Sequence, residues 1–365
     1  MTQAQRLLLY VGTYTRPAPY LKTHSGQGIY LYSFDRATGA LTPISETHGI
    51  DSPSYLAISR DQQRLYAVSE VWLWPEGTIT AYTIDQQTGA LTYINRQSTR
   101  GTVTAYASVD QADHFAFAAN YWGGETVAVF PLRADGGVLP ASDSVRHIGR
   151  GPKPAQDKSH GHCIVTDPTN RWVHVVDLGL DQVVTYQLDH QYGRLIPHGT
   201  TQLEAGSGAR HMVFHPNGQS AYVIGEWNST ITALTVNAET GGLMPLHSVP
   251  TLPEGVSAET SYGSDIQIHP SGKFVYGGNR GHDSLVICAV EEGTGRLTVI
   301  GHQSTQGNFP RNFVIDPTGM YLLVGNQNSD TIVSFRIDQQ TGLLEPTGQV
   351  ANVPAPVCLK FVTLG

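Results

Sequence analysis

The stretch Phe313-Val314-Ile315-Asp316-Pro317-Thr318-Gly319, followed by Tyr321-Leu322-Leu323-Val324, decides how this chain folds. An apolar run enters a turn in which Pro317 presets φ at the first corner. Gly319 accepts the positive φ of a later corner, so the chain doubles back as a tight hairpin. Downstream, Thr331-Ile332-Val333-Ser334-Phe335-Arg336-Ile337 alternates with period two, and Thr341-Gly342-Leu343-Leu344 opens a further strand. Four short strands per unit of about 50 residues, with no amphipathic helix, are the mark of a propeller blade.

The unit recurs along the chain. Its turn reappears as His269-Pro270-Ser271-Gly272, His215-Pro216-Asn217-Gly218 and Asp167-Pro168-Thr169-Asn170. Looser copies are Arg60-Asp61-Gln62-Gln63 and Asp110-Gln111-Ala112-Asp113. The segments Ile84-Asp85-Gln86-Gln87-Thr88-Gly89 and Ile337-Asp338-Gln339-Gln340-Thr341-Gly342 are identical. Complete units begin near Ser54, Ala105, His162, Arg210, Gly263 and Arg311. Residues 357–361 read as an innermost strand with nothing after it, and 7–13, 28–35 and 40–45 as three strands lacking one. The ends complement each other, which predicts an all-β, seven-bladed β-propeller of four-stranded antiparallel blades. It forms one domain over 1–365, with one blade shared by both termini so that no sheet edge is left open. Two stacked β-sandwiches, the alternative, do not account for this complementarity.

Composition narrows the function. Only 14% of the 365 residues are charged, below the roughly 25% of an average domain. The balance of 22 basic to 30 acidic side chains, without a basic cluster, argues against a nucleic-acid partner. No apolar run approaches the roughly 18 residues of a spanning helix, so no membrane partner is expected. The start, Met1-Thr2-Gln3-Ala4-Gln5-Arg6, lacks the features of a secretory signal. Cys163, Cys288 and Cys358 are too widely spaced for a disulfide framework or zinc motif and read as buried thiols in a reducing, cytoplasmic setting.

In a propeller, equivalent positions of successive blades converge at a mouth of the axial channel. Entering the innermost strands are Tyr55, Tyr106, His162, Arg210 with His211, Asp265, and Arg311 with Asn312. Leaving the second strands are Glu70, Asn120, Asp177, Glu226, Asn279 with Arg280, and Asn326. Ionised groups are costly in a channel unless they pair or bind something. The set reads either as an anion pocket with a general base or as an ion-paired plug. His160 and His162 share a strand face, but without a third ligand nearby no metal is expected, and no other cofactor either. His215 and His269 read as turn residues, and Asp177-Leu178-Gly179 as a corner. Trp72, Trp74, Tyr121 and Trp122 read as pocket walls or a partner surface. The longer loops 17–25 and 147–158 read as a rim.

These residues carry a resemblance. Ser159-His160-Gly161-His162 with Asp167-Pro168, Gly208-Ala209-Arg210-His211, and Asn279-Arg280-Gly281-His282-Asp283-Ser284 are similar to motifs of the lactonase family of seven-bladed propellers. That family includes propeller-type 6-phosphogluconolactonases and carboxy-cis,cis-muconate cyclases. The resemblance runs from Val11-Gly12-Thr13-Tyr14 to the last strand. It implies an active set of His162, Arg210, Glu226 and Arg280, and a small anionic lactone as substrate, 6-phosphogluconolactone in the first place. In this reading Glu226 is the general base, its pKa raised by burial, or His162 takes that part. Arg210 and Arg280 stabilise the oxyanion and hold anionic groups. Arg311, Asn312, Asp265, Asn120, Glu70 and Tyr106 are expected to bind substrate. The alternatives are cyclisation of a muconate at the same residues, or a non-enzymatic scaffold. A scaffold would carry its distinctive charges on outer faces.

Overall fold

A computed structural model describes residues 6–365; the reading of the first five residues lies outside them. The chain forms seven four-stranded antiparallel sheets. Blade 1 joins the C-terminal strand Pro356–Leu364, innermost, to Arg6–Thr13, Ile29–Phe34 and Leu41–Thr47. Leu8 pairs with Val362 and Tyr10 with Lys360, so the last strand closes the ring on the first. Blades 2 to 7 follow in chain order, with innermost strands Tyr55–Ile58, Gly101–Val109, Gly161–Thr166, Ala209–Phe214, Tyr262–Ile268 and Pro310–Ile315. Among the described residues two short 3₁₀ turns, Ala258–Thr260 and Gln327–Ser329, are the helical elements.

The repeated turn works as its residue types demand. Asp316 accepts the backbone N–H of Thr318 (3.0 Å) and of Tyr321 (2.7 Å), and Gly319 sits at φ 75°. At the second turn Gly342 adopts φ 73°, and a Cβ there would meet the Phe274 ring at 2.4 Å. Tyrosines in the second strands use these turns to clasp one blade to the next. Tyr10 donates to the Gly89 carbonyl (2.6 Å), Tyr222 to Gly295 (3.1 Å) and Tyr276 to Gly342 (2.8 Å). The tyrosine-rich composition therefore serves blade packing as well as strand propensity.

Strict alternation is lost inside the ring. Tyr321–Asn326 is buried throughout, and Thr331–Ile337 nearly so, because each inner strand is covered on both faces by neighbouring blades. The outermost strands, such as Leu41–Thr47, face solvent. The core is thus a set of inter-blade layers; Tyr276 and Ile287 of blade 6, for example, share one with Leu322 and Phe335 of blade 7.

Candidate active site

The mouth of the channel is built by one repeated irregularity. In blade 5 Ala209 pairs with Gly225 and His211 with Ile224, which leaves Arg210 as the extra residue of a β-bulge. His162 is skipped in the same way in blade 4, and Arg311 in blade 7. A bulge bends its strand and re-aims one side chain. Here it turns three long polar side chains to the same end of the channel. The partner strand then ends beside the bulge, which delivers Glu226 just after Ser220–Gly225 and Arg280 at the end of Phe274–Arg280.

Glu226 is the hub. Its Oε2 accepts from Arg210 Nε (3.0 Å) and Arg280 Nη2 (2.8 Å), and Arg280 Nη2 also donates to the Gly263 carbonyl (2.8 Å). Opposite lies a second ion pair, Arg311 Nη2 to Glu70 Oε2 (3.1 Å). Glu70 Oε1 accepts from the hydroxyls of Tyr14 (2.7 Å) and Tyr20 (2.9 Å). His162 is 4% exposed, and its Nδ1 has no hydrogen-bond partner among the described residues. Between these groups lies a cavity of about 310 Å³, at the small end of the roughly 300–1,000 Å³ typical of ligand pockets. His162, Glu226, Arg280, Arg311 and Glu70 line it; Tyr121, Trp122, Trp72, Tyr262 and Phe309 form apolar walls.

The electrostatics revise one expectation. Burial pushes the Glu226 carboxyl up, but Arg280 and Arg210 together outweigh burial and hold it below its ordinary value. Glu226 is therefore a firmly ionised bridge rather than a carboxyl tuned upward for base chemistry. His162 is held well below the ordinary imidazole range, first by burial and then by Arg210, His211 and Arg311. It is a neutral imidazole on a cavity whose wall carries the guanidinium groups of Arg280 and Arg311 and the carboxylates of Glu226 and Glu70. Burial also draws Arg210 down to about 10, which leaves it charged at neutral pH.

Not all the expected residues meet at this mouth. Arg210 is 1% exposed and lies behind Glu226, outside the cavity lining, so it acts on the site through the carboxylate. Tyr106 lies one position beyond its blade's bulge: the residue equivalent to His162 is Ala105, which does line the cavity. Tyr106 and Asp265 face a second cavity, of about 280 Å³, on the other side of the buried channel cluster. Asn312 is buried against Asp265, its Nδ2 donating to Oδ2 (2.6 Å). Tyr106 and Asn312 follow their bulges, return to the ladder and point deeper into the channel, while Asp265 is, with Ser264, one of two residues skipped by the ladder of its blade. Asn120 donates to the Thr99 and Glu125 carbonyls, much as Asn279 and Asn326 hold Thr251 and Thr305; this is a repeated inter-blade tie. None of these four touches the cavity.

The remaining motifs resolve. His160 is occupied by the Tyr121 carbonyl (2.6 Å) and Asp157 (3.2 Å), and no group of three metal-ligating side chains occurs among the described residues. Asp177 accepts from Ser159 and the His160 N–H and pairs with His147, the corner that was expected. His215 and His269 reach the Gly272 and Gly319 carbonyls of the following blade, so they join blades as well as shaping turns. Tyr14 and Tyr20 carry little signal in the sequence beyond Tyr14's place in Val11-Gly12-Thr13-Tyr14 and Tyr20's in the 17–25 loop. That loop does form part of the rim, with Tyr20 and Leu21 on the cavity and Thr23 bonded to the Gln327 carbonyl.

A closed seven-bladed ring with a histidine, arginines and carboxylates at one channel mouth defines a class of propeller enzymes. The chain belongs to the lactonase family of seven-bladed β-propellers, whose family model matches residues 8–361. It is 35% identical over 353 residues to a 6-phosphogluconolactonase of Bacillus subtilis, covering 97% of each chain. Among solved structures, a putative 6-phosphogluconolactonase of Bacteroides fragilis superposes with TM-score 0.90 at 34% identity, over 99% of each chain. A periplasmic gluconolactonase of Pseudomonas aeruginosa does so with TM-score 0.90 at 31%, over 99% of this chain and 100% of its own. No helix among the described residues is long and apolar enough to cross a membrane.

Proposed function

We propose that this enzyme hydrolyses 6-phosphogluconolactone to the open hydroxy acid, with His162 as general base. The observation that carries the proposal is the union, in one 310 Å³ cavity, of a neutral imidazole and the guanidinium groups of Arg280 and Arg311. Lactone opening requires a water to lose its proton as it attacks the carbonyl, an oxyanion to be stabilised, and the ring oxygen to regain a proton. His162 accepts the first proton and, as imidazolium, returns it to the leaving alkoxide. Arg280, aimed by Glu226, donates to the oxyanion. Arg311 receives the phosphate, since guanidinium geometry suits that anion.

Two guanidinium groups on the cavity wall support a phosphorylated substrate. Burial, Arg210 and Arg311 keep the free imidazole neutral, and a phosphate at Arg311 offsets one of those charges. Substrate binding therefore raises the imidazole's basicity when it has to take a proton. The test is to supply freshly made 6-phosphogluconolactone, unphosphorylated gluconolactone and a muconate, following acid release and diene absorbance. Preference for the phosphorylated lactone is expected. Preference for the unphosphorylated one refutes the phosphate assignment to Arg311, and loss of diene absorbance alone would make the site a cyclase. The free, buried state of all three cysteines supports a cytoplasmic location, testable by cell fractionation.

A further inference from the structure

We infer that His211 and Asp265 are positioning residues for this site: a buried Asp–His pair that orients Arg210 and, through it, the Glu226–Arg280 bridge. The inference rests on the lactone-hydrolysing reading for its kinetic consequence but not for its geometry. Arg210 Nη1 lies 3.2 Å from His211 Nε2 and 3.5 Å from Nδ1, and also donates to the Ser264 carbonyl. A guanidinium only donates and a carboxylate only accepts, so the proton of a neutral imidazole between them sits on Nδ1, the nitrogen beside Asp265, and leaves Nε2, the nitrogen nearer Arg210, unprotonated. That Nδ1–H points at Asp265 Oδ1, 2.8 Å away. The second carboxylate oxygen accepts from Asn312 Nδ2 (2.6 Å) and Gln267 Nε2 (3.1 Å), and Asn312 Oδ1 accepts the Leu359 N–H (2.7 Å). Every partner of Asp265 is a donor. The chain Asp265–His211–Arg210–Glu226–Arg280 therefore has one direction of donation on each link, and it crosses from blade 6 into blade 5 and back.

The His211 ring cannot escape the arrangement. His162 and Tyr106 meet it edge-on at 5.1 Å and Tyr55 at 5.8 Å, and the residue is 3% exposed. Arg210 is clamped between His211, Ser264 and Glu226. The Glu226 oxygen that receives it also receives Arg280. A change of shape or tautomer at His211 thus displaces the guanidinium that lines the cavity, although neither His211 nor Asp265 lines it.

The decisive variant is Asp265→Asn, which keeps shape but adds donors. Turned one way, its amide confronts Nδ1–H and drives the proton to Nε2, against Arg210. Turned the other way, it confronts Asn312 and Gln267. Lactone turnover should fall on the order of 10²-fold, the scale of a small misplacement of catalytic groups. His211→Gln can still donate to Asp265 and accept from Arg210, so it should recover most of the turnover lost in His211→Leu. Nitrogen-15 NMR of the wild-type imidazoles supplies a readout independent of activity, with His211 expected neutral and protonated at Nδ1. A wild-type His211 protonated at Nε2 or at both nitrogens overturns the inference. So does Asp265→Asn turnover within a few-fold of wild type, or equal loss in His211→Gln and His211→Leu with native melting. A wild type that opens no lactone but shows the Nδ1–H tautomer refutes the reaction and leaves the positioning geometry standing.

Discussion

Glu226→Gln separates what the central carboxylate does for folding from what it does for chemistry. The substitution keeps the side chain's shape while removing the only anion among the described residues within bonding distance of Arg210 and Arg280, at 3.0 and 2.8 Å. The amide oxygen can satisfy one guanidinium, while its NH₂ opposes the other. Those guanidinium groups are 1% and 6% exposed, so little water can replace the lost charge. Removing one partner of a buried ion pair costs about 3–5 kcal/mol, and the retained hydrogen bond places this case near 3. Unfolding entropy of about 2.1 cal/mol/K per residue over 365 residues converts this to a fall in Tm of about 4 °C. Arg280 loses its aim at the same time, so kcat/KM should fall on the order of 10²–10³-fold, the scale for one oxyanion donor. Calorimetry and a pH-stat assay on one preparation measure both. A wild-type Tm would show that the bridge adds nothing to stability. A kcat/KM within a few-fold of wild type would refute the role given to Glu226 in holding Arg280.

Other outcomes follow from the same geometry. His162 is held well below pH 6.5 in the free enzyme, so kcat/KM should stay level through pH 6.5 and fall only at lower pH; an acid limb at or above 6.5 that vanishes in His162→Gln contradicts the assignment. The limb for kcat should lie higher, because bound phosphate offsets the Arg311 charge. Tyr20→Phe removes one hydrogen bond to Glu70 and loosens the 17–25 loop, worth about 0.5–1.5 kcal/mol, so KM should rise by up to about tenfold with kcat less affected. Burial pushes the thiols of Cys163, Cys288 and Cys358 up to about 12, 12 and 11, so a disulfide reagent should label them only after denaturation, and then all three. Rapid labelling of the native enzyme would refute their burial.

The blades, their number and the sharing of one blade by both termini were legible in the chain, because turn chemistry is local. Asp316-Pro317-Thr318-Gly319 can close only a tight turn wherever it stands, and repetition converts that turn into a ring. The convergence of His162, Glu226, Arg280, Arg311 and Glu70 on one mouth was legible from equivalent positions alone. Which neighbour of each pair reaches the mouth was not. That choice lies in a bulge, a one-residue change of register whose sequence differs little from a regular strand. It raises His162, Arg210 and Arg311 while sending Tyr106 and Asn312 down the channel. The protonation of the site was equally hidden. From the chain, Glu226 is a carboxylate in a channel, and burial alone would lift its pKa. Only folding brings Arg210 and Arg280 within 3.0 Å of one of its oxygens, from positions 16 and 54 residues away, and Coulomb attraction at that distance in a dry site outweighs the loss of water.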